Sequence, residues 1–133
     1  EYPSTMSLSV MWGDMDAFKH VNNTASIHWF ESSRIRILEH PDLYIVLEAE
    51  GVAPLLASVS CNYRRQLRYP DTIHVGSKVS RLGNTSLTIQ HAVVSEQQDC
   101  IASDGQSVVV CFDYKTQRPV RIPDKLRDAV ERM

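Results

Sequence analysis

Between Trp12 and Asn23 the chain gathers two carboxylates (Asp14, Asp16), an imidazole (His20) and two amides (Asn22, Asn23). A helical pattern follows over residues 24–39. Acids placed just before a helix start sit beside unpaired backbone N–H groups and the positive end of the helix dipole. Such an arrangement polarises a carbonyl and supplies a base or nucleophile to attack it. Each group also has a plainer use. Asp16 reads as nucleophile or general base, or as a carboxylate that bonds nearby amides. Asp14, two residues from Asp16 on an extended segment, reads as the second carboxylate of an acid/base pair or, in preference, as structural, bonding loop amides or an arginine such as Arg34 or Arg36. His20 orients a water, holds Asp16, or bonds backbone. Asn23 positions a water or a carbonyl oxygen, or caps the helix. A divalent metal on Asp14, Asp16 and His20 would lack a further ligand at any recognised spacing, so no metal site is expected.

The elements that must position these groups follow from periodicity. Residues 6–12 alternate apolar and polar, which predicts a first strand. Asn22 or Asn23 suits an N-cap. Ile27, Phe30, Arg34 and Leu38 recur near i+3/i+4, with Ile37 beside Phe30, predicting a helix with one buried stripe. Trp29 and Phe30 read as core, and Glu31 as an ion-pair partner of Arg34. His40-Pro41 ends this helix, and a shorter one is expected to close at Gly51. Four strand-like runs come next. They cover 56–63 (Val59, Cys61 and Tyr63 on one face), 72–82, a run through Leu87, Ile89, His91 and Val93, and 101–112 with an irregular patch at Ser103 to Gly105. Gly83-Asn84 has hairpin chemistry. A short terminal helix is expected over 124–132. Strands joined by short turns favour hairpins and an antiparallel sheet.

Bulk properties narrow the function classes. The chain has 133 residues, a length that suits one domain, 1–133, with one core. A net charge of −2 favours neither nucleic acid nor an anionic membrane. No apolar run approaches the ~18 residues of a membrane span, and no signal-peptide pattern opens the sequence, whose first residue, Glu1, suits a trimmed chain. Cys61, Cys100 and Cys111 are far apart and read as small buried thiols in strands, which points to a reducing, cytoplasmic setting. There is no Gly-x-Ser-x-Gly elbow, Walker loop or dinucleotide fingerprint.

Asp14-x-Asp16-x-x-x-His20-Val21-Asn22-Asn23, followed by Phe30-Glu31 and Arg34, resembles the hotdog-fold acyl-CoA thioesterases, in their 4-hydroxybenzoyl-CoA thioesterase-like branch. Residues 81–87 also match a hairpin pattern recurrent there, and the strand order agrees over essentially the whole chain. The resemblance implies an α+β hotdog fold, a curved antiparallel sheet wrapped around one long central helix. It implies a homodimer joined sheet edge to sheet edge, or a homotetramer, with the active site between subunits. It places Asp16 as the catalytic carboxylate, accompanied by His20 and Asn23. The first helical turn, about residues 23–25 and so including Thr24, would polarise the thioester carbonyl. The implied reaction hydrolyses an acyl-CoA to the free acid and coenzyme A. No cofactor is needed, because coenzyme A is part of the substrate and its thiolate leaves readily. Arg64, Arg65, Arg68 or Arg81 would meet its phosphates, and Thr85 and Ser86 would bond the pantetheine arm. Two departures stand out. Lys19 replaces the glycine usual before the histidine, which incurs strain if the loop needs a positive φ. Ser26 replaces an aromatic of the early helix, which widens the acyl pocket or shifts which acyl groups fit.

Two other readings are tied to particular residues. Gly13-Asp14-Met15-Asp16 begins like the Gly-Asp-x-Asn-Pro-x-His pattern of hotdog hydratases, but no Asn-Pro follows and His20 falls one residue late. Lys19, if it blocked the loop, would suit a non-catalytic module that binds acyl-CoA or acyl-carrier protein.

Overall fold

The structure is a computed structural model and describes residues 2–132. Strand β1 (Ser4–Ser9) leads through a short loop to the long helix α1 (Asn23–Leu38). Helix α2 (Pro41–Glu50) follows, then strands β2 (Ala53–Tyr63), β3 (Thr72–Leu82), β4 (Ser86–Ser95), β5 (Cys100–Asp113) and the two-residue β6 (Arg118–Pro119). Helix α3 (Asp124–Glu131) ends the chain. The strands form one antiparallel sheet in the order β1-β3-β4-β5-β2, with β6 beside the end of β5. The sheet packs against the buried face of α1, as the resemblance implies.

Several sequence expectations change in detail. The first strand stops at Ser9, because the Asp14 carboxylate accepts the Met11 N–H at 2.8 Å and coils Trp12–Asp14 into a 3-10 turn. β2 does not form a hairpin with β3 but crosses to the far edge and pairs with β5. The connecting residues are held elsewhere: Arg64 and Arg65 both donate their backbone N–H to Ala102 O, and Val21 N–H donates to Leu67 O. The patch at Ser103 to Gly105 lies within β5, and the irregularity falls just before it, where Ala102 is the extra residue between the pairs Val93↔Ser103 and Val94↔Ile101. Gly105 is required there by close approach. A Cβ would collide with the Ser60 carbonyl oxygen of β2 and come within 2.9 Å of the Phe30 ring. Of the three thiols only Cys111 is buried, in the cluster around Ile37, whereas Cys61 and Cys100 are partly exposed. β6 carries no apolar periodicity and gives no strand signal in the sequence.

The helix face also differs from the expected stripe. Ile27 is 39% exposed, and the buried positions of α1 are Ser26, Trp29, Phe30, Ser33, Arg34 and Ile37. Half of these are polar, which hides the face from a count of apolar residues. The polar ones answer to partners on the sheet. Trp29 and Phe30 join Ile73, Val75, Val93 and Ala102 in one apolar cluster, and Ile37 joins Leu87, Ile89 and Val109 in a second. On α1, β3, β4 and β5 alike, the residues between these two clusters along the chain include Ser33 and Arg34, Ser77, His91 and Ser107. These five form a buried hydrogen-bonded layer. His91 bonds Ser77 Oγ at 2.7 Å through Nδ1 and Ser107 Oγ at 2.8 Å through Nε2, and Arg34 donates to Ser107 Oγ at 3.1 Å. Ser33 bonds Ser77, and Phe30 stacks on the His91 ring. Burial, reinforced by the Arg34 charge, pushes the His91 pKa down to about 4.

Candidate active site

The loop before α1 is built by short-range bonds. Asp16 and His20 are joined by a backbone bond from Asp16 N–H to His20 O at 2.9 Å, and Lys19 N–H returns to Asp16 O at 3.0 Å. The tightness of this turn sets Lys19 at φ 63°. A left-handed conformation costs a side-chain-bearing residue about 1–2 kcal/mol. The loop therefore forms despite lysine where the resemblance has glycine, and the lysine side chain stays exposed.

That turn aims the two carboxylates at different jobs. Asp14 Oδ2 is used by Met11 N–H, and no arginine reaches it among the described residues. Asp16 Oδ1 accepts the Phe18 N–H at 2.9 Å and, at 3.5 Å, the His20 N–H. Asp16 Oδ2 has no protein donor among the described residues. Amide capping and an open carboxylate oxygen thus coexist on Asp16. The His20 ring does not hold Asp16. Its Nε2 lies 3.0 Å from Arg68 Nη2. Arginine only donates, so Nε2 is the acceptor and the ring carries its proton on Nδ1.

The start of α1 completes the site. Asn22 is the N-cap, and its Oδ1 accepts both the N–H and the hydroxyl of Thr24 at 3.0 Å. The Asn22 carbonyl takes the Ala25 N–H. Among residues 23–25, only the Asn23 N–H is left without a protein acceptor among the described residues. The expected oxyanion donors therefore narrow from a whole turn to one amide, because the cap itself occupies the other two.

Asp16, His20, Asn23 and Arg64 line one open cleft of about 580 Å³, within the size range of small-molecule sites. Its deepest walls are Ser26, Leu67, Ala102 and Ser103, all buried. Phe18 and Tyr63 stand at its exposed side. Arg64 points its guanidinium at Asp104, with Nε at 2.8 Å and Nη2 at 3.1 Å. That bond holds the Asp104 carboxyl below its usual range. Arg65 lines the same cleft and pairs with no carboxylate among the described residues. Thr85 and Ser86 lie in the β3–β4 hairpin, outside this cleft. Their backbone oxygens serve Cys111 N–H and Gly83 N–H. Thr24 is next to the cleft but is tied up by Asn22. No cluster of three metal-ligating side chains occurs among the described residues, and no helix among them is long and apolar enough to cross a membrane.

Sequence reasoning does not reach Tyr63, Leu67, Ala102 or Ser103 as site residues. Alternation on β2 does put Cys61 and Tyr63 on one face, but only the pairing of β2 with β5 sets Tyr63 opposite Ser103 and beside α1.

A carboxylate and a helix-start amide that line one cleft, each with a polar atom unbonded among the described residues, are a setting for attack on a carbonyl. The comparison with known proteins agrees in kind. The model of the thioesterase-like superfamily matches residues 10–130. The chain belongs to the thioesterase-like superfamily. Within it, the chain is 27% identical over 119 residues to the long-chain acyl-CoA thioesterase FadM of Escherichia coli K12, covering 90% of each. The crystal structure of YbaW, a probable thioesterase from Escherichia coli, has a TM-score of 0.89 at 25% identity over 98% of each chain. A thioesterase from Thermus thermophilus, solved with coenzyme A and Zn, has a TM-score of 0.82 at 27% identity over 98% of each chain. The fold of this superfamily member is accordingly the hotdog fold.

Proposed function

We propose that the protein hydrolyses an acyl-CoA thioester to a free acid and coenzyme A in the cleft at the start of α1. The observation that carries this reading is the convergence of Asp16, with its unoccupied Oδ2, and Asn23, with its unoccupied N–H, on one cleft. Asp16 acts as the nucleophile or activates the attacking water. The Asn23 amide and the helix dipole stabilise the oxyanion that develops on the carbonyl. The thiolate of coenzyme A leaves without a cofactor. Arg68 donates to His20 Nε2, so His20 serves as a polar wall of the cleft with Nδ1 left as its donor. Arg65, uncommitted at the cleft, is better placed than Arg64 to meet a phosphate. The relatives named as thioesterases support the reaction class.

Asp16→Asn tests the reading. The amide oxygen retains the bond to Phe18 N–H but supplies neither anion nor base. Thiol release from a panel of short, long, branched and aromatic acyl-CoAs should fall by at least about 10²-fold, with the thermal midpoint retained. Unchanged turnover sinks the role of Asp16.

The reading extends to assembly. β2 is an edge strand whose Leu55 and Leu56 are 41% and 42% exposed. Long apolar edges invite pairing. We infer that two copies join along β2, which would bring a second chain close to the Tyr63 end of the cleft.

A further inference from the structure

Tyr63, the last residue of β2, has no part in the mechanism above, yet its phenol is within hydrogen-bond reach of the helix start. The Tyr63 hydroxyl donates to the Asn23 carbonyl oxygen at 2.6 Å, a short bond between an edge strand and the first residue of α1. Asn23 is also the residue whose N–H is unbonded. Its carbonyl is therefore anchored from the sheet while its N–H stays available.

We propose that Tyr63 is a positioning residue that fixes Asn23 so that its free amide meets the developing oxyanion. The inference rests on the hydrolytic reading of the cleft. Three further observations fit it. Helix ends fray unless tied down, and an oxyanion donor is useful only if held where the charge develops. Tyr63 is itself braced: it shares a face of β2 with Cys61 and pairs across the strands with Ser103 of β5. Burial of the phenol, aided by Cys61, raises its pKa to about 12, so the hydroxyl remains a donor throughout the working pH range. The aromatic ring also lines the cleft, so the anchor and the cleft wall are one side chain.

The test is Tyr63→Phe, which removes one oxygen. Tyr63 is 45% exposed, so the phenylalanine ring keeps its packing, and a retained thermal midpoint verifies the fold. The expected result is a fall in kcat for thiol release of about 10- to 100-fold, the usual effect of misplacing a reacting group, with KM within about two-fold. Amide hydrogen exchange at Thr24 and Ala25, whose N–H groups are held by the cap, should quicken in the same variant, while exchange in the second half of α1 stays as in wild type. A merely structural role would move the midpoint and the whole helix instead, and that pattern overturns the proposal. If wild type releases thiol and Tyr63→Phe matches its kcat, the positioning role fails and hydrolysis stands. If wild type releases no thiol from any ester in the panel, the hydrolytic reading fails and takes this inference with it.

Discussion

At the scale of single residues, the contrast between Asp16 and His91 shows how placement decides chemistry. Asp16 stands at an open cleft with one oxygen free, whereas His91 is enclosed, with both ring nitrogens bonded to serine hydroxyls. The histidine carries a consequence for stability. Unfolded, its pKa is the ordinary 6.5; folded, it is pushed down to about 4 by burial and then by Arg34. As pH falls from 6.5 towards 4, the unfolded chain binds a proton that the native ring refuses. The His91 contribution to native stability therefore drops through that window, by about 3 kcal/mol, and levels off below it. Urea unfolding at about pH 7 and about pH 4.5 checks this, with His91→Gln as the comparison that should flatten the slope. Asp104 and Asp124, whose carboxyls are held below the usual value by Arg64 and Arg121, lose their contribution only at lower pH. Equal slopes in the two proteins would show that the ring does not titrate as its burial requires.

At the scale of elements, the site depends on how closely β2 and β5 approach α1. Gly105 sets that distance. Phe30 and the Ser60 carbonyl occupy the space a side chain would need, and backbone cannot yield as a flexible side chain does. Gly105→Ala should therefore prise β2 away from β5 and cost about 1–3 kcal/mol. Because Tyr63 lies at the end of the same strand, the variant should also lower thiol release in the fraction that stays folded. Circular dichroism melts alongside the activity assay separate the two effects. A midpoint equal to wild type would mean that the strands are not so tightly apposed. The elements themselves are largely readable from sequence. β3 is predicted at its observed bounds, and the ends of α1 and α3 fall within a residue or two, because caps and prolines mark ends locally. Strand neighbours are not readable, since nothing in residues 64–71 announces a crossing rather than a turn.

At the scale of the whole molecule, the sheet has two open edges, and the one at β2 exposes Leu55 and Leu56. Leu56→Lys places a charge on that edge, and in a two-fold pairing along β2 it adds one charge from each copy. Wild type is expected to sediment as a dimer or larger, and Leu56→Lys to shift towards monomer with its fold intact. A monomeric wild type at micromolar concentration rules the pairing out. The buried layer of Ser33, Arg34, Ser77, His91 and Ser107 also belongs to this scale, since four elements must agree in level before any of its bonds can form.

The amino-acid order alone was enough to identify the chemistry-bearing segment, the helix after it and the cap that joins them, because these depend on residues within a few positions of one another. It also carried the resemblance that named the fold. Only the tertiary structure decided which helix-start amide stays unbonded and which arginine is already engaged by Asp104. Only it decided that a tyrosine far along the chain holds the helix start. Those outcomes depend on strands far apart in the chain choosing their neighbours. That choice is made by packing and hydrogen-bond satisfaction over the entire sheet, and no local stretch of sequence encodes it.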